Sequence, residues 1–198
     1  MKIYDISQEV LSCKVYKGDV GPKAWKASSM DEGAVYNLTE FSMGAHNGTH
    51  VDAPKHFFND GKSVEGLSLH RLVGDCFVCV ANGDIGKEEV VNILENAKKS
   101  QGVNLIERIL IKGTGVINPE GAKEFVKQGI LLIGSESQSV GPENAPMEVH
   151  KILLEKEIVL LEGIRLNKVE EGKYLLCAAP LNIKDADGSP CRAILIEN

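Results

Sequence analysis

Residues 44–56 read Gly44-Ala45-His46-Asn47-Gly48-Thr49-His50-Val51-Asp52-Ala53-Pro54-Lys55-His56, and they hold three of the chain's five histidines together with an aspartate. Imidazole and carboxylate are the ligands that borderline divalent metals prefer. A helix is a poor host for this run, because Gly48, Thr49, Val51 and Pro54 oppose it through backbone entropy, β-branching and a missing donor. In extended chain, successive side chains point to opposite faces, so the even-numbered His46, His50, Asp52 and His56 share one side. At about 3.3 Å per residue, His50 and Asp52 are close enough to meet at one ion, whereas His46 is too far away if the chain is straight. A bend at Asn47-Gly48, a turn-forming pair, brings His46 back. Pro54 lets the chain leave the sheet and sets His56 beside the site.

Outward from this segment, apolar β-branched runs alternate with helical patterns. The runs predict strands at 2–6, 34–43, 48–53, 75–81, 109–113, 130–134, 157–162, 173–179 and 192–196. Helices are predicted at 87–99, where Val90, Ile93, Leu94 and Ala97 follow the i, i+3, i+4, i+7 spacing, at 119–128, and at 147–156. Asn118 is placed to cap the second, with Pro119 in its first turn. Interleaved strands and about three main helices describe an α/β protein, read here as a single domain over 1–198. Residues 11–33 read as a long loop of the kind that covers sites, and the loop carries Tyr16 and Trp25 as candidate substrate contacts. Lys112-Gly113-Thr114-Gly115 reads as a turn, because Asn118 stands where a dinucleotide fingerprint needs a third glycine.

Composition narrows the function classes. The net charge is −6, and no lysine or arginine run exceeds short pairs, which excludes nucleic acid and anionic membrane as expected partners. No apolar stretch reaches membrane-spanning length, and Asp5 interrupts the N-terminal segment where a signal core would lie. The expectation is a cytoplasmic enzyme acting on a small molecule. Five scattered cysteines argue against a disulfide framework. Cys76-Phe77-Val78-Cys79 has the spacing of a redox or zinc motif. It falls inside a predicted strand, however, so its two thiols face opposite sides and read as buried apolar residues.

Two more ligand-type residues stand far off in sequence. His150 lies in the third helix, and Glu162 closes the apolar run Ile158-Val159-Leu160-Leu161. A carboxylate ending a buried strand is costly unless it is paired or bound to a cation. On the residues alone, these two are candidates for a second metal position.

Residues 44–56 resemble the signature of the metal-dependent cyclase family of hydrolases, which includes bacterial kynurenine formamidases and isatin hydrolases. Further stretches carry the same resemblance: Tyr4-Asp5-Ile6-Ser7, Ile133-Gly134-Ser135-Glu136-Ser137-Gln138-Ser139-Val140, Pro180-Leu181-Asn182-Ile183 and Asp187-Gly188-Ser189-Pro190-Cys191-Arg192. The resemblance implies a swivelling β/β/α fold and a homodimer or homotetramer with sites near subunit contacts. It implies two divalent ions per chain, usually zinc, with manganese in the isatin hydrolases. His46, His50 and Asp52 would bind one ion, Asp52, His150 and Glu162 the second, and His56 would be the catalytic acid/base. The implied reaction is attack of metal-activated water on an amide carbonyl, as in conversion of N-formylkynurenine to kynurenine and formate. Tyr16-Lys17-Gly18-Asp19 departs from the formamidases' aromatic-Pro-Gly-Asp turn, leaving Tyr16 as the ring that would contact substrate. The alternatives are a cyclic amide or lactone substrate, a cyclisation, or a non-catalytic, metal-stabilised binding protein.

Overall fold

The computed structural model describes residues 1–197. The first seven strands are β1 (Lys2–Asp5), β2 (Lys23–Ser28), β3 (Leu38–Ser42), β4 (His50–Asp52), β5 (Val73–Val80), β6 (Gly83–Ile85) and β7 (Arg108–Lys112). Six more follow: β8 (Gly115–Ile117), β9 (Leu132–Ser135), β10 (Val159–Glu162), β11 (Gly172–Cys177), β12 (Gly188–Pro190) and β13 (Ile194–Glu197). Among them run a four-residue helix, α1 (Leu69–Leu72), and three longer ones, α2 (Lys87–Gln101), α3 (Pro119–Lys127) and α4 (Met147–Leu154). Nine strands form one mixed sheet in the order β1-β13-β11-β5-β7-β9-β10-β4-β12.

The middle of that sheet is parallel: β5, β7, β9 and β10 lie side by side, and helices fill the crossovers between them. Their runs are apolar without alternation, as burial of both faces requires. One face, with Phe77, Cys79, Ile109, Ile111, Ile133 and Leu160, packs under the apolar stripes of α2, α3 and α4. The opposite face, with Cys76, Val78, Leu110, Leu132, Val159 and Leu161, is covered by Ile6, Val64, Leu67, Leu72, Ile164 and Leu166. Cys76 and Cys79 thus fall in different cores, as their spacing in a strand predicts, and burial pushes both thiols up to about 12. The α3 cap is also as expected, with the Asn118 side chain accepting the Gly121 N–H at 2.9 Å.

Two features depart from the sequence expectation. Residues 11–33 are not one loop, because β2 and a 3-10 turn at Met30–Glu32 lie within them. β2 pairs only with β3, and the two make an arm outside the main sheet whose positions are nearly all exposed. With no buried face, nothing imposes the two-residue hydrophobic period by which a strand is read from sequence. The strands β6, β8 and β12, at three residues each, are too short to carry a legible pattern. Among the described residues, no helix is long and apolar enough to cross a membrane.

The side of the sheet that carries β4 positions the site. This short strand is fully buried and is paired antiparallel on both edges, to β10 and to β12. The register sets His50 opposite Glu162 and Asp52 opposite Gly188. β10 is followed by Gly163, a left-handed residue (φ +69°) pressed against the Gly48 carbonyl and the Gln138 side chain. A methyl group there would collide with both. Gly163→Ala is therefore expected to destabilise the protein by about 2–4 kcal/mol, from left-handed strain plus overpacking. Thermal melts should register a fall of roughly 5–15 °C, and an unchanged Tm would show that the Gly48–Gly163 contact does not constrain the fold.

Candidate metal centre

Glu162 stands at the carboxyl end of a parallel strand, where open α/β sheets place their ligands. β4 brings His50 and Asp52 to the same place. The Asn47-Gly48 bend turns His46 back as the sequence suggests, with Gly48 at φ +64°. His46 Nδ1 lies 2.8 Å from Asp52 Oδ1. After Asp52 the chain leaves the strand at Pro54, and a 3-10 turn over Pro54–His56 swings His56 alongside. Only His50 and Asp52 owe their common side to strand geometry. The other two histidines arrive by turns.

From α4, His150 reaches across to the strands. Its Nε2 is 3.2 Å from Glu162 Oε1 and 3.7 Å from Asp52 Oδ2. His50 Nε2 lies between the same carboxylates, 3.3 Å from Asp52 Oδ1 and 3.4 Å from Glu162 Oε2. The outer nitrogens are fixed by backbone: His50 Nδ1 is 3.0 Å from the Gly48 carbonyl, and His150 Nδ1 is 2.9 Å from the Pro146 carbonyl. A carbonyl can only accept, so each Nδ1 carries a proton and each Nε2 is turned toward the carboxylates. This is the outer bonding typical of metal-ligating imidazoles. Glu162 Oε1 also accepts the Val140 N–H at 2.8 Å.

The donor set fits a divalent metal. Asp52 Oδ2 is buried and, among the described residues, has no hydrogen-bond partner, a costly state for a carboxylate oxygen unless a cation meets it. Two groups of donor atoms converge within 4.8 Å, His46-Asp52-His56 and His50-Asp52-Glu162. Asp52 is common to both. The grouping differs from the expected ligand sets in that His56, rather than His50, closes the group around His46, while His50 faces Glu162 as well as Asp52.

All of these side chains except Asp52 line one cavity of about 310 Å³, with Tyr16, Asp19, Phe57, Gln138 and Ser139 completing its walls. The Tyr16 hydroxyl donates to the Glu143 carbonyl at 2.7 Å, which ties the 11–22 segment to the stretch before α4. Trp25 is absent from this cavity and instead donates its indole N–H to Glu40 within the β2–β3 arm. A larger cavity of about 690 Å³ adjoins the segment through Asn47, Gly48 and Thr49, but it contains none of the converging donors. Sequence reasoning missed Asp187, whose Oδ2 lies 2.8 Å from His46 Nε2 and 3.2 Å from His56 Nδ1. Its only signal was membership of the Asp187–Arg192 stretch, and the contact depends on β12 pairing with β4.

Buried imidazoles and carboxylates gathered at strand ends beside a small cavity define a metal centre open to a small molecule. The chain belongs to the Cyclase family, described as "Putative cyclase", whose model matches residues 4–161. It is 34% identical to a kynurenine formamidase of Erythrobacter litoralis, over 99% of this chain and 94% of that one. It is also 34% identical to a kynurenine formamidase of Bacillus cereus, over 96% and 95%. Among solved structures, a potential metal-dependent hydrolase with cyclase activity matches at a TM-score of 0.80 and 25% identity, over 98% of this chain and 96% of that one. The isatin hydrolase A of Labrenzia aggregata shares the fold at a TM-score of 0.82 and 20% identity, over 100% and 94%.

Charge at the centre is strongly coupled to protons. Burial would lower the His50 imidazole, but hydrogen bonds to Asp52 and Glu162 and their charges outweigh it and raise the group to about 10. His46 is likewise raised to about 9, burial being overcome by Asp187 and Asp52. Burial pushes Asp52 upward, yet His46 and His50 hold it well below the usual carboxylate range. Without metal, both histidines are therefore protonated at neutral pH, and ligation must displace those protons. Zinc titrated calorimetrically at pH 7.5 into chelator-treated protein, in buffers of differing ionisation enthalpy, should release roughly two protons per chain. Apparent affinity should climb as pH rises from 6.5 toward about 10. Release near zero would mean that the imidazoles are already neutral.

Proposed function

We propose that this protein is a metal-dependent amide hydrolase of the kynurenine formamidase type, converting N-formylkynurenine to kynurenine and formate. The observation that carries this reading is the gathering of His46, His50, His150 and Glu162 around Asp52, whose Oδ2 has no hydrogen-bond partner among the described residues, with His56 on the wall of the same cavity. The identities to formamidases over nearly the whole chain support the substrate class.

His46, His50 and Asp52 would hold one ion and Asp52, His150 and Glu162 a second, with zinc or manganese suited to the donors. Bound there, such cations supply Lewis acidity toward a carbonyl and lower the pKa of water. The chain's own part is positioning and proton transfer. The rings of Tyr16 and Phe57 wall the cavity and suit an aromatic substrate; Phe57 lies edge-on to His56 at 4.6 Å between centroids. His56 Nδ1 is engaged by Asp187, which leaves Nε2 to take the proton of the attacking water. As the carbonyl carbon–nitrogen bond breaks, the same Nε2 returns that proton to the leaving nitrogen, a transfer worth about 10²–10⁴ in rate.

A homo-oligomer is part of this reading, supported by the β2–β3 arm. Trp25, Tyr36, Leu38 and Phe41 are exposed on or beside it, and an isolated two-stranded ribbon is marginal in water. A second copy of the chain is the occupant that would cover them. The cytoplasm suits the reading, since the substrate is a small metabolite.

His56→Ala should retain its metal and lose about 10²–10⁴ in kcat on N-formylkynurenine, measured beside metal content per chain. Full activity in that variant would remove His56 from the reaction. Turnover of isatin in place of N-formylkynurenine by the parent protein would move the reading to cyclic amides. Light scattering after gel filtration should give a mass of at least two chains, reduced to one by Trp25→Glu with Phe41→Glu; a monomeric parent would refute the oligomer.

A further inference from the structure

Asp187 belongs to neither ligand set, yet one of its oxygens serves two of the site's histidines. Oδ2 lies 2.8 Å from His46 Nε2 and 3.2 Å from His56 Nδ1. The two imidazoles are stacked, with centroids 4.0 Å apart and planes tilted by 33°, so a single atom can reach a nitrogen of each. Backbone holds the carboxylate in place. The Asp187 carbonyl accepts the Ala53 N–H at 2.9 Å, and Gly188 pairs with Asp52 across the β4–β12 ladder. A Cβ at position 188 would strike the His46 ring, so glycine there keeps the approach open.

We propose that Asp187 is a positioning residue that fixes the tautomers of His46 and His56 together and so couples the proton carrier to the metal ligands. The inference rests on the reading of His56 as acid/base. A carboxylate oxygen only accepts, so both ring nitrogens facing it carry protons. His56 is thereby left with a bare Nε2, the form able to take a proton from water; the other tautomer would offer the cavity an N–H instead. His46 Nδ1 faces Asp52 Oδ1 at 2.8 Å and without metal carries a proton as well; with Asp187 keeping the proton on Nε2, Nδ1 is the nitrogen that would be freed for an ion. Holding the base in one tautomer is the role the orienting acid has in nucleophile–base–acid triads.

The test uses Asp187→Asn and Asp187→Ala, with the side chain about half exposed so that folding is retained. In zinc-loaded protein labelled with 15N histidine, two-bond proton–nitrogen spectra should report a protonated Nδ1 and bare Nε2 for His56, assigned with the His56→Ala variant. In Asp187→Ala that preference should disappear. Both variants should lose about 10- to 100-fold in kcat or in zinc affinity, with KM within twofold of the parent and the asparagine less affected than the alanine. An unchanged His56 tautomer, or kcat and zinc affinity within twofold of an active parent, would overturn the proposal. A parent that hydrolyses no amide would instead refute the formamidase reading, while the tautomer spectra and zinc affinity would still decide the role of Asp187.

Discussion

Everything at this site follows from two carboxylates, Asp52 and Glu162, that the β4–β10 register buries side by side. Negative charge out of water demands compensation. Here it comes from three imidazoles, His46, His50 and His150, each within 4 Å of one or both carboxylates. The arrangement can be neutralised by protons on the histidines or by cations between the groups. Because these compete for the same nitrogens, the centre exchanges one kind of positive charge for the other. A core built only for stability would have little reason to keep such a cluster, since buried ion pairs seldom improve on apolar packing.

The parallel strands β5, β7, β9 and β10 give the platform its rigidity, and the site is assembled on its edge by segments of little regular structure. Each ligand is oriented by a different device: His50 by strand register and the Gly48 carbonyl, His46 by a turn, His150 by the Pro146 carbonyl at the start of a helix. Gly48 serves twice, since its carbonyl also accepts from the Gln138 amide, and Gln138 in turn accepts from Gln8. A chain of amides from the N-terminal segment therefore reaches the backbone that holds a ligand.

Much of this was legible beforehand, for identifiable reasons. The buried strands and amphipathic helices announce themselves because burial imposes period and composition, as in Cys76–Cys79 and in Val90, Ile93, Leu94 and Ala97. The ligand segment was readable because its donors lie close in sequence and Gly48 and Pro54 mark where it bends. On the residues alone His150 and Glu162 were candidates for a second metal position; family resemblance joined them to Asp52, since their nearness depends on long-range strand pairing. Asp187 stayed hidden for the same reason, as did β2, whose exposed residues Lys23-Ala24-Trp25-Lys26-Ala27-Ser28 carry no periodic imprint.

The interleaving of β4 between β10 and β12 also sets an order of events during synthesis. The histidine-rich segment leaves the ribosome first, while the strands that flank it are still unmade. Until residues 159–190 emerge, the segment has neither its second carboxylate nor a ladder on either edge. The ion position shared by Asp52, His150 and Glu162 can consequently be completed only after the flanking strands have been made.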